Sequence, residues 1–152
     1  SSDVCSSDLM LTKVNKQNPD SIKNVLETLR EHIRVSKITI YDKDFNLLYI
    51  VGSDTNDVRS DFIKSKSNYF NIFNEYGFLH LNNTNVLGLT ESEPYDMYRK
   101  GNIATILEVL SKDENGNPHL LICYDLYKPG RSFMRDEVTF ALLVARKLSE
   151  IL

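Results

Sequence analysis

NIATILEVLSKDENGNPHLLICYDLY, residues 102–127, has the pattern of two β-strands joined by a tight turn. Two apolar, β-rich runs, Asn102–Leu110 and His119–Tyr127, flank Glu114-Asn115-Gly116-Asn117, and Asn-Gly between such runs is a strong hairpin signal. A second hairpin lies upstream, where Lys37–Tyr41 and Leu47–Val51 enclose Asp42-Lys43-Asp44-Phe45-Asn46. Helical periodicity brackets both hairpins. Asn18-Pro19-Asp20 offers a cap, a first-turn proline and an acidic residue at the positive end of the helix dipole. Behind it Ile22, Val25, Leu26, Leu29 and Ile33 recur on one face of a helix running to Arg34. Over Met134–Leu152, the residues Val138, Ala141, Leu142, Ala145, Leu148 and Leu152 share a face that Leu143, Val144 and Ile151 widen.

Between the hairpins, Asp57–Ser67 reads as a short helix carrying Val58, Phe62 and Ile63, and residues 68–101 are aromatic-rich, dotted with Asn and Gly, and broken by Pro94. The order helix, hairpin, variable segment, hairpin, long helix predicts an α+β fold. A central antiparallel sheet takes both terminal helices on one face and residues 53–101 over the other. A face covered by loops is where small-molecule cavities form.

Composition limits the function. With 152 residues, 41% apolar and 26% charged, the chain is of single-domain length and ordinary globular make-up. No apolar run approaches the roughly 20 residues of a membrane span. The net charge of −3 leaves no basic excess for a phosphate backbone, so neither a membrane nor a nucleic acid is an expected partner. Ser1–Leu9, SSDVCSSDL, has neither the basic nor the apolar region of a signal peptide. It resembles the translation of a sequencing-library adapter, with Met10 either the true start or an internal residue of a truncated gene. The expected domain is then residues 10–152. Without that segment Asp3 and Asp8 drop out, the charge becomes −1, and Cys123 is the remaining cysteine, suited to a reducing cytoplasm.

Four stretches carry a family resemblance. Gly77-Phe78-Leu79-His80-Leu81-Asn82-Asn83, Arg99–Val109, Asn115–Tyr124 and Arg131-Ser132-Phe133-Met134-Arg135-Asp136-Glu137 together resemble a GAF domain over Ser21–Leu152. They match, in order, its third strand, the short helix and glycine before the next strand, its central hairpin, and the start of its last helix. The proline-led segment of many members' fourth strand is replaced by Leu110-Ser111. Thr39–Tyr49 resembles instead the first hairpin of a PAS domain, which the Asp-Glu start of the last helix fits less well. The GAF resemblance implies a bacterial sensory module. Tyr127-Lys128, Phe133 and Asp136-Glu137 are similar to the family's Asn-Lys…Phe…Asp-Glu motif, with Tyr127 in place of the Asn. That change argues against a cyclic nucleotide. Asp136 and Glu137 are expected to serve the helix dipole, and Phe133 to anchor the helix. Tetrapyrrole-binding relatives attach pigment through a Cys often followed by His, whereas Cys123 precedes Tyr124 and reads as an inert strand residue.

His32, His80 and His119 show no paired metal-ligand spacing, and no Ser-His-Asp order, phosphate loop or HEXXH helix occurs. The chain is therefore not expected to be an enzyme or to hold a metal or other cofactor. The candidate ligand contacts are Tyr69, Phe73, Asn82, Asn85, Tyr95, Tyr98, Arg99 and Glu108, aromatic walls with a few hydrogen-bonding groups. Arg99, beside Tyr95 and Tyr98, could clamp an anion bidentately. Strand alternation groups Ile103, Thr105, Leu107 and Val109 on the helix side and sends Glu108 to the ligand side. The expected function is a cytoplasmic sensory domain that binds a small molecule under residues 53–101 and signals through its terminal helices to an output domain. The alternative is a ligand-free dimerisation module. In either case the apolar surplus of Val138–Leu152 predicts a parallel homodimer through the last helix.

Overall fold

The computed structural model describes residues 17–65 and 69–152, so the segment Ser1–Leu9 lies outside the described residues. The elements are α1 (Pro19–Ile33), β1 (Lys37–Tyr41), β2 (Leu47–Gly52), α2 (Ser60–Ser65), β3 (Phe78–Leu81), α3 (Ser92–Lys100), β4 (Thr105–Lys112), β5 (Pro118–Leu126) and α4 (Arg135–Ile151). Two 3-10 turns, Tyr69–Ile72 and Thr84–Leu89, lie between them. The strands form one antiparallel five-stranded sheet in the order β2-β1-β5-β4-β3. Among the described residues no helix is long and apolar enough to cross a membrane.

Local chemistry sets these elements. The Asn18 side chain accepts the Asp20 N–H at 3.1 Å with Pro19 in the first turn, as the sequence predicts. In the β4–β5 turn, Asp113 Oδ1 accepts the N–H groups of Asn115 and Asn117, each at 2.9 Å. Gly116 supplies the φ of 81° that the turn requires. Pro94 does not break its segment. It occupies the first turn of α3, where a missing N–H costs nothing.

The period of two divides the sheet residues between two cores. On one face Ile38, Ile40, Leu107, Val109, Ile122 and Tyr124 pack with Leu26 and Leu29 of α1 and Phe140, Val144 and Leu148 of α4. On the other, Tyr41, Ile106, Leu110, Leu121 and Cys123 pack under Ile63, Tyr69, Met97 and Tyr98 of residues 53–101. This is the expected α+β arrangement. Ile103 corrects one detail, since it precedes β4 rather than continuing it and packs on the 53–101 side. The premise of the dimer expectation also changes. Val138, Leu142 and Leu152 are half-buried against the core, so one chain absorbs much of the surplus. Arg131 links the terminal helices: its guanidinium donates to the carbonyls of Ile33, at 2.5 Å, and Arg34, and to Glu137 at 2.6 Å.

Candidate functional site: a buried charge cluster under the cover

Alternation puts charged residues on the covered face of the sheet. Across the strands Lys37 stands opposite Asp125, and Glu108 opposite Cys123. Lys37, Glu108 and Asp125 are all essentially inaccessible to solvent. A carboxylate cannot lie dry without a partner, and the partner comes from the cover. Asp57 Oδ1 accepts the N–H groups of Arg59 and Ser60, each at 3.2 Å, capping α2 and fixing the backbone from which Arg59 reaches the sheet. Arg59 Nη1 and Nη2 then grip the Asp125 carboxylate at 2.8 and 2.5 Å, and Nε donates to Glu108 Oε2 at 2.8 Å. The guanidinium lies 5.5 Å from the Tyr98 ring centroid.

Two phenols complete the shell. Tyr98 donates to Glu108 Oε2 at 2.6 Å, Tyr69 donates to Glu108 Oε1, and the two hydroxyls are 2.8 Å apart. Burial, reinforced by the Glu108 charge, pushes both phenols well above their ordinary range, so they serve as donors. Burial alone would weaken the Arg59 charge, and Asp125 and Glu108 more than reverse it. Cys123 is enclosed beside this cluster, and burial pushes its thiol up, as expected of an inert strand residue.

A second polar layer lies at the rim. Lys37 donates to Asp54 at 3.1 Å and to the Asn56 carbonyl at 3.0 Å, while Tyr41 donates to Asp57 at 2.8 Å and Tyr127 to Asp54. Partial burial would raise Asp54 and Asp57. Hydrogen bonds, from Tyr127, Asn56 and Lys37 on Asp54 and from Ser60 and Tyr41 on Asp57, hold both below the usual carboxylate range instead. Outside this rim an open groove of about 760 Å³ runs between residues 54–62 and α3, with Asp61, Phe62, Glu93, Asp96 and Tyr127 in its walls.

The sequence-predicted contacts divide. Tyr69, Tyr98 and Glu108 come together around Arg59, and Phe73 meets Tyr69 edge-on at 5.8 Å. Glu108 faces the cover and Thr105 the helix side, where Thr105 Oγ1 donates to the carbonyls of Asn82 and Lys128. Asn82 and Asn85 are exposed, and Tyr95 is half-buried. Arg99 does not converge with Tyr98. Adjacent residues on α3 diverge, so Tyr98 turns inward, while Arg99 is 65% exposed over the Tyr95 ring and 3.6 Å from Asp96. Tyr127 serves Asp54, Phe133 is buried with its N–H donated to His80 Nε2, and Glu137 accepts the Met134 N–H at the start of α4. Sequence reasoning missed Arg59, Asp125 and Lys37. Asp125 gave a readable signal, a charge within the apolar run HLLICYDLY. Arg59 gave none, being 49 and 66 residues from its partners.

No known protein family matches the chain by sequence, and no curated protein matches it significantly. Solved structures match by shape. The far-red-absorbing dark state of JSC1_58120g3, which holds biliverdin IXα, superposes with a TM-score of 0.68 at 10% identity over 98% of this chain and 97% of that one. GAF3 of Slr1393 from Synechocystis sp. PCC6803 gives 0.57 at 14% identity, covering 82% and 90%. A GAF domain region from Geobacter sulfurreducens PCA gives 0.58 at 11%, covering 86% and 91%. Strand order, helix placement and these likenesses agree: the chain has the fold of a GAF domain.

Proposed function

We propose that this domain is a regulatory sensor module of a signalling protein, in which a small molecule acts on the 53–101 cover and the terminal helices carry the response. The observation that supports it is the Arg59–Glu108–Asp125 cluster, which joins cover to sheet through fully buried charges. Such clusters add little net stability over an apolar filling of the same shape, yet they fix position sharply. A cover held in this way is secure in one geometry and loosens when a ligand competes for its charges. The Arg131 link between α1 and α4 gives the helices a common response. Biliverdin, which JSC1_58120g3 holds, does not fit this face: Arg59, Tyr69 and Tyr98 fill it, and Cys123, the one cysteine among the described residues, is enclosed. The buried thiol accords with a cytoplasmic setting, and α4 remains our choice for pairing two copies.

A thermal-shift screen of the whole chain against small metabolites tests the reading. Preferential binding to the folded state should raise Tm by several degrees at saturation, and groove variants such as Phe62→Ala should reduce the shift. The filled sheet face favours a second reading, a ligand-free dimerisation module. Absence of any stabilising metabolite, together with a dimer by light scattering at about 100 µM, where a modest interface with Kd near 1 µM is saturated, would establish that second reading instead.

A further inference from the structure

The cluster beneath the cover is built like a receptor for a planar cation. Glu108 and Asp125 sit on the adjacent central strands β4 and β5, and Tyr98 sits on α3, so each is anchored independently of Arg59. Around the guanidinium they supply a bidentate carboxylate at 2.8 and 2.5 Å, a second carboxylate on Nε at 2.8 Å and an aromatic ring at 5.5 Å. This combination suits a guanidinium, whose flat fork matches a carboxylate pair, better than a compact ammonium. Lys37, the nearest other buried cation, is committed to Asp54 and the Asn56 carbonyl. We propose that Glu108, Asp125 and Tyr98 form a binding site for an alkylguanidinium ligand, and that Arg59 occupies it in the free domain as a displaceable internal stand-in. This rests on the sensory reading and names its ligand class.

Arg59 is placed differently from its partners. It lies between the end of β2 at Gly52 and the first residue of α2, a helix of only six residues, whereas its partners belong to the sheet and α3. Glu108 and Asp125 on the sheet and Tyr98 on the longer α3 are therefore the host, and Arg59, on the connection into a short helix, is the guest. The groove is walled by Val58 and Met97, the chain neighbours of Arg59 and Tyr98, and by Asp61, Glu93 and Asp96. Its carboxylates would meet a displaced arginine on the outer side of the cover. The host cannot stay empty. Without a cation, Glu108 and Asp125 would lie uncompensated in a dry interior. An incoming guanidinium exchanges for Arg59 with the buried charge unchanged, and the freed Arg59 takes α2 and the cover with it.

The test uses the full chain and its Arg59→Ala variant with ethylguanidinium chloride at low millimolar concentration, set against tetramethylammonium chloride at matched ionic strength. Arg59→Ala should gain about 5–10 °C in Tm with ethylguanidinium at a hundredfold excess over Kd. It should gain nothing from tetramethylammonium, and adding Asp125→Asn should abolish the effect. If Arg59→Ala is unfolded alone, ethylguanidinium should restore its helical circular dichroism, and failure to do so overturns the proposal. In the wild type the probe should speed hydrogen exchange at residues 54–60 while β4 and β5 stay protected; unchanged exchange there overturns displacement. A folded Arg59→Ala that answers both salts equally, or neither, overturns the site. A screen metabolite that stabilises both the wild type and Asp125→Asn keeps the sensory reading and overturns this ligand class.

Discussion

On the helix side of the sheet, Ile38, Ile40, Leu107 and Ile122 meet Leu26, Leu29, Phe140 and Val144 in a core of apolar side chains. On the cover side, the same strands present Lys37, Glu108 and Asp125, and the residues that meet them include Arg59, Tyr69 and Tyr98. Apolar contacts are non-directional, so losses on the helix side should be graded by the volume removed. Contacts in the charge cluster depend on each other, and losing one partner strands the rest. One sheet thus has a face built for stability and a face built for position.

The largest expected effect lies on the cover side. Arg59→Ala should lower the unfolding free energy by about 3–5 kcal/mol in urea titrations, since Glu108 and Asp125 remain buried and unpaired. Combining Arg59→Met with Glu108→Leu and Asp125→Leu should recover most of that loss, leaving the Tyr69 and Tyr98 hydroxyls with only each other. If the triple variant is as unstable as Arg59→Ala alone, the cluster is a net stabiliser and the contrast between the faces fails. On the helix side, Leu29→Ala should cost about 2–5 kcal/mol, scaling with the cavity. Ile122→Val should cost about 0.5–1.5 kcal/mol, with no all-or-none step.

A smaller effect separates the faces by pH. Burial lowers His80, whose Nε2 accepts the Phe133 N–H at 3.2 Å. A histidine depressed in the folded state binds its proton more readily when unfolded. Its contribution is therefore complete above the ordinary value of 6.5 and lost as pH falls through 6.5 towards the depressed value. Tm should begin to decline there, and His80→Gln should flatten the slope between pH 7 and roughly pH 5. On the cover side Asp54 and Asp57 are held low as well, so a second decline belongs below the ordinary carboxylate value of 3.8. The smallest effect is that of Arg99→Ala. An exposed residue 3.6 Å from an exposed Asp96 should change stability by no more than about 0.5 kcal/mol.

The helix side was readable because its signals are local. Periodicity marked Ile22, Val25, Leu26, Leu29 and Ile33, and all five are buried in α1. Alternation placed Glu108 on the cover side for the same reason. It failed at Ile103, where the strand had not yet begun. The cover was less legible because its order comes from contacts distant in sequence. Pro94 reads as a breaker until it is known to fall in a first turn, and Tyr69 and Tyr98 read as pocket walls rather than as donors to Glu108. Arg59 looks like any surface arginine beside Asp57 and Ser60. Only the fold brings it to Asp125.

Native-state hydrogen exchange can show whether the charge cluster holds a cover that is separable from the sheet and its helices. Amides of α2, the Tyr69–Ile72 turn and α3 should exchange through an opening of lower free energy and weaker denaturant dependence than those of β1, β4, β5, α1 and α4. Asp125→Asn should lower the cover opening further while the helix side keeps its order of protection. If cover and core amides instead exchange through one global unfolding in both proteins, the two faces form a single cooperative unit and the cluster holds no separable cover.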